Sequence, residues 1–450
     1  MKFSKYVHFF DINSDVVGLF HSLLIRTVFL SRQEKEVVES YLNGKKEFNE
    51  AITKIIKHLY SHYFIIDSDE DDNRVFDGCL KSIPEPVISN TYFVVTENCN
   101  FKCKYCFISD TVESDNKDKI MTTKVAKAAV ELLSKTYEKY RSEYERTIIF
   151  YGGEPLLNFD VIKYVLHEID DVKLSGYWPD NVKLGVVTNG SLLTKEHIDF
   201  FRSNNINLTI SYDVDKESHA NRLNKIGNTT FDVVKSKIKM CADANMPYSL
   251  SVVISEDTLK NKDFVLENII SLSPASVGFN MLLPNKYIKP SDAYYERATE
   301  FMIDCFKSFR QNGIYEDRIM RKVSYFANNK MFPYDCCAAG GNQFVIAPNG
   351  EIGICHGYLN NNKFFSANVF DKDFDFRKNN DFNYWKKRSP IFMPECQNCE
   401  CIGICGGGCA YAADYLHGSI YAKDDRFCIH CKKILQWLIK DLYEQTVAVH

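Results

Sequence analysis

Cys99, Cys103 and Cys106 share one short segment, Thr96-Glu-Asn-Cys99-Asn-Phe-Lys-Cys103-Lys-Tyr-Cys106-Phe107, directly after the apolar run Tyr92-Phe-Val-Val95. The spacing is Cys-x3-Cys-x2-Cys. Three thiolates on so short a loop can hold three irons of a 4Fe–4S cluster and leave the fourth iron free. An iron without a protein ligand can bind a substrate or cofactor, which points to a reactive cluster rather than an electron wire. A zinc knuckle is the alternative, but zinc sites usually take two close pairs of ligands. No fourth ligand lies near this triplet.

Ten of the sixteen cysteines fall between Cys336 and Cys431. From Cys337 the pattern is Cys-x12-Gly-x4-Cys, through Gly350 to Cys355. A second block reads Cys396-x2-Cys399-x5-Cys405-x3-Cys409, with Cys428-x2-Cys431 beyond it. The glycines 403 and 406–408 suit a chain wrapped tightly around inorganic sulfide, and one or two structural zincs are the alternative. Cys79, Cys241 and Cys305 stand alone and read as buried small hydrophobes. Between the two cysteine regions lie further polar segments: Tyr151-Gly-Gly-Glu154-Pro, Thr188-Asn-Gly190, Ser211-Tyr-Asp213, then His219 and Arg222. Glycines allow close backbone approach and an N–H cradle, Glu154 can accept from an ammonium, and Arg222 can hold a carboxylate bidentately.

The loop at 99–106 resembles the signature of radical S-adenosylmethionine (SAM) enzymes, with Tyr105 as the aromatic before the last ligand. The resemblance implies that SAM chelates the free iron and is cleaved to a 5′-deoxyadenosyl radical that abstracts hydrogen. Gly152-Gly153-Glu154-Pro looks like the family element that binds the SAM amino group. Ser211, Asp213 and Arg222 match its fourth-strand segment, although Val214 stands where a glycine is usual and Ala220 where an aspartate is. By that likeness Tyr105, Gly152, Gly153, Glu154, Asn189, Ser211, Arg222 and Ile254, with Val253 beside it, line the SAM pocket. Asp213 is the one catalytic candidate. The C-terminal field resembles the SPASM extension, which holds two auxiliary 4Fe–4S clusters, three clusters in all. The resemblance gives Cys337, Cys355 and Cys409 to the nearer one, with Cys336 as a further candidate. It gives Cys396, Cys399, Cys405 and Cys428 to the outer one, with Cys431 as the alternative to Cys428. Cys401 has no place in the pattern.

These residues need elements to hold them. From about 90 to 285 strands alternate with helices: strands at 92–96, 147–151, 183–188, 207–212, 249–254 and 276–282, and helices near 122–140, 159–169, 194–203, 229–244 and 257–271. Six βα units predict a parallel sheet, open or curled into a partial (β/α)6 TIM-like barrel, with ligands at the carboxyl ends of the strands. Every polar segment above sits at such an end. Gln343–Ile354 reads as a hairpin through Pro-Asn-Gly.

Residues 1–85 read as a separate α+β unit. It has strands at 16–20 and 23–29, a helix at 32–42 capped by Ser31 with Glu34 in the capping box, a helix at 48–60, and Tyr63-Phe-Ile-Ile66. The acidic run Asp67–Asp72 reads as a solvated loop, and Lys81–Pro86 as a linker. The predicted domains are therefore 1–85, 86–320 and 321–450. The first resembles the winged-helix-like peptide recognition element of enzymes that mature ribosomally made peptides, which would pair a leader peptide against a strand edge.

Bulk properties agree with a soluble enzyme. A chain of 450 residues needs more than one core, and 45% hydrophobic with 25% charged residues is globular composition. A net charge of −4 argues against a nucleic-acid binder. No apolar stretch reaches membrane-spanning length and no signal peptide is legible, so a cytoplasmic location is expected. Together these features predict a radical SAM peptide maturase forming a thioether or C–C crosslink. Its partners would be a precursor peptide with a leader and an external flavodoxin- or ferredoxin-like one-electron reductant. A sulfatase-maturating, formylglycine-forming enzyme is the catalytic alternative. A zinc-stabilised binding protein is the non-catalytic one.

Overall fold

Four short strands open the chain: β1 (Lys2–Phe3), β2 (Val7–Asp11), β3 (Val16–His21) and β4 (Arg26–Ser31). Then come α1 (Arg32–Leu42), α2 (Glu50–Ser61), β5 (Ile65–Ile66) and α3 (Asp69–Ser82). The computed structural model describes residues 1–44, 50–108, 119–285, 287–336 and 338–448. Strands β2, β3 and β4 form an antiparallel sheet in that order, and β1 pairs with β5. Val17, Leu19 and Leu30 of this sheet pack on Val38 of α1 and on Ile56 and Leu59 of α2. The Ser31 capping box forms as expected. Strand β2 was not expected, and the second hairpin strand begins three residues late because the chain turns at 22–25, with Ile25 at φ 51°.

The acidic run corrects a sequence expectation: it is the first turn of α3 and not a solvated loop. Ser68 caps the helix and Asp71 closes the capping box. Carboxylates there meet the free N–H groups and the positive end of the helix dipole. Asp72 is buried and accepts from the Ser4 hydroxyl at 2.5 Å and the Lys5 amide at 3.1 Å.

Next come β6 (Asn90–Thr96), β7 (Phe101–Cys103), α4 (Thr123–Lys139), β8 (Arg146–Gly152), α5 (Phe159–Ser175), β9 (Val182–Thr188), α6 (Lys195–Ser203) and β10 (Ile206–Ser211). They are followed by α7 (Lys216–His219), β11 (Arg222–Asn224), α8 (Phe231–Asp243), β12 (Tyr248–Ile254), α9 (Glu256–Lys260), α10 (Lys262–Leu272) and β13 (Ser276–Met281). The chain ends through α11 (Tyr294–Gln311), β14 (Tyr315–Glu316), α12 (Asp317–Ala327), β15 (Gln343–Ile346), β16 (Glu351–Gly353), β17 (Phe365–Asn368), α13 (Asn380–Lys386), α14 (Ala410–His417) and α15 (Asp425–Ala448). One sheet runs β14-β13-β12-β10-β9-β8-β6-β15-β16-β17. The six predicted strands are consecutive and parallel within it. The outer edges of β13 and β6 pair with β14 and β15, not with each other, so this is a partial barrel. The predicted hairpin is β15–β16.

Two compact units result. One contains Met1–Glu85, Ile319–Cys336 and Arg388–His450, and the other Pro86–Arg318 and Cys337–Lys387. No helix among the described residues is long and apolar enough to cross a membrane.

In the first unit His21 is fully buried, and its Nδ1 accepts from the Leu24 amide at 3.3 Å. Burial pulls its pKa down to about 3. Between that value and the ordinary imidazole value near 6.5, the unfolded chain binds a proton that the folded chain refuses. Stability is therefore intact above about pH 6.5 and falls by about 1.4 kcal/mol per pH unit below it. His21→Gln should flatten that slope in denaturant titrations at pH 7, 6 and 5.

Candidate active site

Because β6, β8, β9, β10 and β12 are parallel, their carboxyl ends gather at one edge of the sheet. The cysteine segment leaves β6 there. Its middle forms β7, which pairs antiparallel with β11 so that Cys103 stands opposite Arg222. Lys104 N–H donates to the Asn221 carbonyl at 2.9 Å. The Cys99 thiol accepts from the Phe101 amide at 3.3 Å and from Asn189 Nδ2 at 3.9 Å. Burial pushes Cys99 up to about 12 and Cys103 up to about 11, so these thiols stay protonated at neutral pH without a cation. A bound metal removes that cost, since it takes thiolates.

The glycine pair after β8 lets its backbone lie against this loop. Gly152 has φ 141°, and Gly153 N–H donates to the Thr96 carbonyl at 2.9 Å. Glu154 N–H donates to Asn98 at 2.8 Å. The Glu154 carboxylate is fully buried. It accepts from the Thr188 hydroxyl (2.6 Å), the Asn189 amide (2.7 Å) and the Leu156 amide (3.1 Å). Burial outweighs those bonds and raises its pKa. An ionised carboxylate accepts about four hydrogen bonds, so there is room for one more donor.

A second network links the loop to β10–β12. The Tyr105 hydroxyl donates to Asp213 Oδ2 at 2.5 Å, and Arg222 Nη1 donates to the same hydroxyl at 2.9 Å. Asp213 Oδ1 accepts from the Val253 amide at 3.1 Å. The Asp213 amide donates to His219 Nδ1 at 3.3 Å, and Thr230 donates to the Arg222 carbonyl at 2.7 Å. Asp213 and His219 are fully buried and Arg222 nearly so. Burial raises Asp213 despite the adjacent guanidinium and lowers His219 to about 3. Val214 adopts φ 68°, the left-handed region that favours glycine. The Nε of Arg222 is buried without a partner, a donor left for an anionic ligand. Tyr105→Phe strands Asp213 Oδ2 and Arg222 Nη1 together. It should cost about 1–3 kcal/mol of stability, read from the urea unfolding midpoint.

The structure gathers Cys99, Cys103, Tyr105, Gly152, Gly153, Glu154, Asn189, Asp213 and Arg222 through these bonds. Cys106 follows one turn after Cys103, its amide donating to the Cys103 carbonyl at 3.2 Å. Ser211 ends β10, and Ile254 is a fully buried core side chain whose carbonyl accepts from Tyr294 at 2.5 Å. A cavity of about 530 Å3 opens beside the loop, lined by Cys99, Asn100, Leu157 and Asn224 among others. Sequence reasoning missed Asn100, Ser191, Thr188 and Thr230. Asn100 bonds Asn189 at 2.8 Å and Ser191 at 2.9 Å. Of these only Thr188 carried a signal, its place in the Thr-Asn-Gly segment.

In the other unit, Cys396, Cys399, Cys401, Cys405, Cys428 and Cys431 line one cavity. Cys401, without a role in the sequence pattern, hydrogen-bonds to Cys399 and Cys431, and Cys431 to Cys405. Cys409 caps the start of α14 and hydrogen-bonds to Cys336. Cys355 is buried in the first-described site's unit, after β16, and Cys337 lies outside the described residues. Cys241 and Cys305 are buried, as expected, while Cys79 is half-buried.

The Radical SAM superfamily model matches residues 93–266. The radical SAM cyclopropyl synthase TigE of Paramaledivibacter caminithermalis is 25% identical over 479 aligned positions, covering 97% of this chain and 95% of that protein. A cysteine-type anaerobic sulfatase-maturating enzyme of Clostridium novyi is 27% identical over 70% of this chain and 85% of its own. Among solved structures, anSMEcpe with bound AdoMet superposes with a TM-score of 0.66 at 19% identity, over 79% of this chain and 98% of that one. Streptococcus suis SuiB bound to its precursor peptide SuiA superposes with a TM-score of 0.53 at 17% identity, over 95% and 99%.

Proposed function

We propose that this radical SAM enzyme matures a ribosomally made precursor peptide, joining two of its positions by a thioether or C–C bond with loss of two hydrogen atoms. The observation that carries the reading is the pairing of Cys103 with Arg222, whose orphaned Nε faces no protein acceptor. One thiol of the triplet and an unused guanidinium donor stand opposite each other on one ladder. Cys99, Cys103 and Cys106 would hold a 4Fe–4S cluster. Arg222 would take the SAM carboxylate and Glu154 its ammonium, with Tyr105, Gly152, Gly153, Asn189, Ser211 and Ile254 around it. When bound, the reduced cluster and SAM supply a 5′-deoxyadenosyl radical that removes a substrate hydrogen atom.

The chain's own residues do the positioning. Thr188, Leu156 and the Asn189 amide fix the Glu154 carboxylate, and Tyr105 and Asp213 fix the guanidinium. Asp213 is the candidate proton acceptor within reach of that network. We assign Cys337, Cys355 and Cys409, with Cys336 as a further candidate, to one auxiliary cluster. Cys396, Cys399, Cys405 and Cys428, or Cys431 in its place, go to another. That gives three clusters fed by a flavodoxin- or ferredoxin-like reductant in the cytoplasm. Domains at 1–85, 86–320 and 321–450 would bind the leader, cleave SAM and house the auxiliary clusters.

Support for a peptide substrate comes from the N-terminal sheet β2-β3-β4 with its three helices, a strand-edge platform of the winged-helix type, and from SuiB, which binds a precursor peptide. Sulfatase maturation is the second reading, favoured by the Clostridium novyi relative. That similarity spans 70% of this chain, whereas the TigE similarity spans 97%. The test uses reconstituted enzyme, SAM and dithionite with each short peptide that genome sequencing finds encoded next to this gene, read by mass spectrometry. A peptide lighter by two hydrogens, formed with 5′-deoxyadenosine, is expected. A formylglycine product on a sulfatase-derived peptide, with the precursor untouched, would overturn it.

A further inference from the structure

The six thiols of Cys396, Cys399, Cys401, Cys405, Cys428 and Cys431 line one cavity of the first unit. That set is more than enough for the four thiolates of a 4Fe–4S cluster or a structural zinc. Arg388 belongs to the same unit and is fully buried, 1% exposed. Its Nη2 donates to the Gly407 carbonyl at 2.8 Å and to that of Ala422 at 3.2 Å. Its Nη1 meets the thioether sulfur of Met393 at 2.8 Å, and a thioether is a weak acceptor. Its Nε is buried without a partner. Met393 and Gly407 both line the cavity, so the guanidinium lies directly behind its wall. Gly407 has φ 86°, and a Cβ there would fall 2.8 Å from Nη1, so a glycine lets the fork lie against the backbone.

Charge sets this arginine apart. Lys423 and Lys432, also on the cavity, are held by Glu395 at 3.4 Å and Glu400 at 3.2 Å. Asp424 is taken by Arg426 through two bonds of 2.9 Å. Arg388 makes no ion pair among the described residues, and all its acceptors are neutral. A guanidinium keeps its charge inside a protein, and a buried charge without an opposite one is costly. The thiols are the groups left to supply that opposite charge. Metal binding takes them as thiolates, and four thiolates around a 4Fe–4S core or a zinc ion leave a net anion. The field of Arg388 reaches them: burial raises the Cys396 thiol and Cys399 adds to the rise, while Arg388 works against both.

We propose that Arg388 is the built-in counter-ion of the anionic centre in this cavity, balancing the charge of the bound cluster and holding its reduction potential up. This rests on the assignment of Cys396, Cys399, Cys405 and Cys428, or Cys431 in its place, to an auxiliary 4Fe–4S cluster, and adds the residue that tunes it. Net charge, hydrogen bonds and exposure set such potentials. The reduced cluster carries one more negative charge than the oxidised one, so a fixed cation favours the reduced form. Burial keeps salt from screening that effect. The bonds to Gly407 and Ala422 hold the guanidinium in place, and neither carbonyl carries a charge that cancels it. Arg388 acts only through the centre, as a positioning residue.

The test is a redox titration of the reconstituted full-length enzyme followed by electron paramagnetic resonance, with the outer signal assigned as the one lost in Cys396→Ala/Cys399→Ala. Arg388→Gln keeps an amide donor for Gly407 and removes the charge. Arg388→Met removes both, and Arg388→Lys keeps the charge without the fork. Arg388→Gln and Arg388→Met should each lower the outer midpoint potential by about a tenfold change in the reduction equilibrium, about 59 mV for one electron. Arg388→Lys should stay within about threefold of wild type on the same scale, and the other midpoint potentials should not move. An unmoved outer potential in Arg388→Gln, or an equal drop in Arg388→Lys, would overturn the inference, since a merely structural role predicts one or the other. If Arg388→Met does not fold, Arg388→Gln and Arg388→Lys, checked by circular dichroism, still decide it. Iron, sulfide and zinc analysis of the same preparations separates this inference from the reading it rests on. If the outer site holds zinc, the cluster assignment falls. Zinc held about tenfold more weakly by Arg388→Gln than by wild type, against a competing chelator, then upholds the counter-ion, and equal affinity overturns it.

Discussion

Gly153→Ala should cut the 5′-deoxyadenosine formation proposed above about a hundredfold although every thiol stays in place. A Cβ at Gly153 would sit 2.4 Å from the Asn98 carbonyl oxygen and 2.5 Å from that of Glu97. Both are backbone atoms of the segment that leads into Cys99, and no side-chain rotation relieves the clash. The loop must move by roughly an ångström, and a displacement of that size at a reacting centre costs on the order of a hundredfold in rate. Gly152→Ala is harsher still. Its Cβ would fall 1.9 Å from the Thr96 carbonyl oxygen, at a φ of 141° that an alanine avoids. Chromatography of 5′-deoxyadenosine, with iron analysis of the same preparations, checks both. A Gly153→Ala enzyme that cleaves SAM at the wild-type rate would show that the close approach is dispensable.

Asp335→Ala is the second large effect, and it acts through stability. Lys322 of α12 is fully buried, and its Nζ lies 3.2 Å from Asp335 Oδ2. Arg321 reaches the same carboxylate at 3.3 Å. The Asp335 amide donates to the Gly406 carbonyl at 2.9 Å, which ties the pair to the loop just after Cys405. Removing the carboxylate leaves a buried ammonium without its anion, a loss of about 3–5 kcal/mol. Lys322→Met in the same background should return much of it, because two apolar residues leave no uncompensated charge. The measurement is the urea midpoint of the first unit's transition for wild type, both single variants and the double. If Asp335→Ala alone unfolds like wild type, the pair contributes nothing to the fold.

Much of the site was legible because its residues sit in local patterns. The cysteine triplet, Gly152-Gly153-Glu154 and Thr188-Asn-Gly190 each announce themselves within a few residues, and the period of the βα units places all three at one edge of the sheet. What stayed hidden depends on contacts distant in sequence. The β7–β11 ladder joins two three-residue strands more than a hundred positions apart, and nothing local marks either as a strand. The acidic run carries the charge density of a solvated loop, and only the cap at Ser68 shows that a helix begins there. Cys401 fits no spacing because its partners include Cys431, brought in by a helix thirty residues on. Val214 was readable as an anomaly, a β-branched residue where glycine is usual. The structure supplies its meaning, since the chain still takes a φ of 68° there.

The pairing of Cys103 with Arg222 has a thermodynamic consequence. The thiol loop and the segment bearing the guanidinium form one clasp: among the described residues β7 and β11 make a two-stranded sheet of their own, so the order of each is coupled to that of the other. A ligand held by the thiols therefore stiffens the arginine, and a ligand held by the arginine stiffens the thiols, by equal free energies in both directions. Affinity for the two occupants is written into a single opening equilibrium, and the backbone amides of Lys104 and Leu223 exchange with solvent at the rate that equilibrium allows.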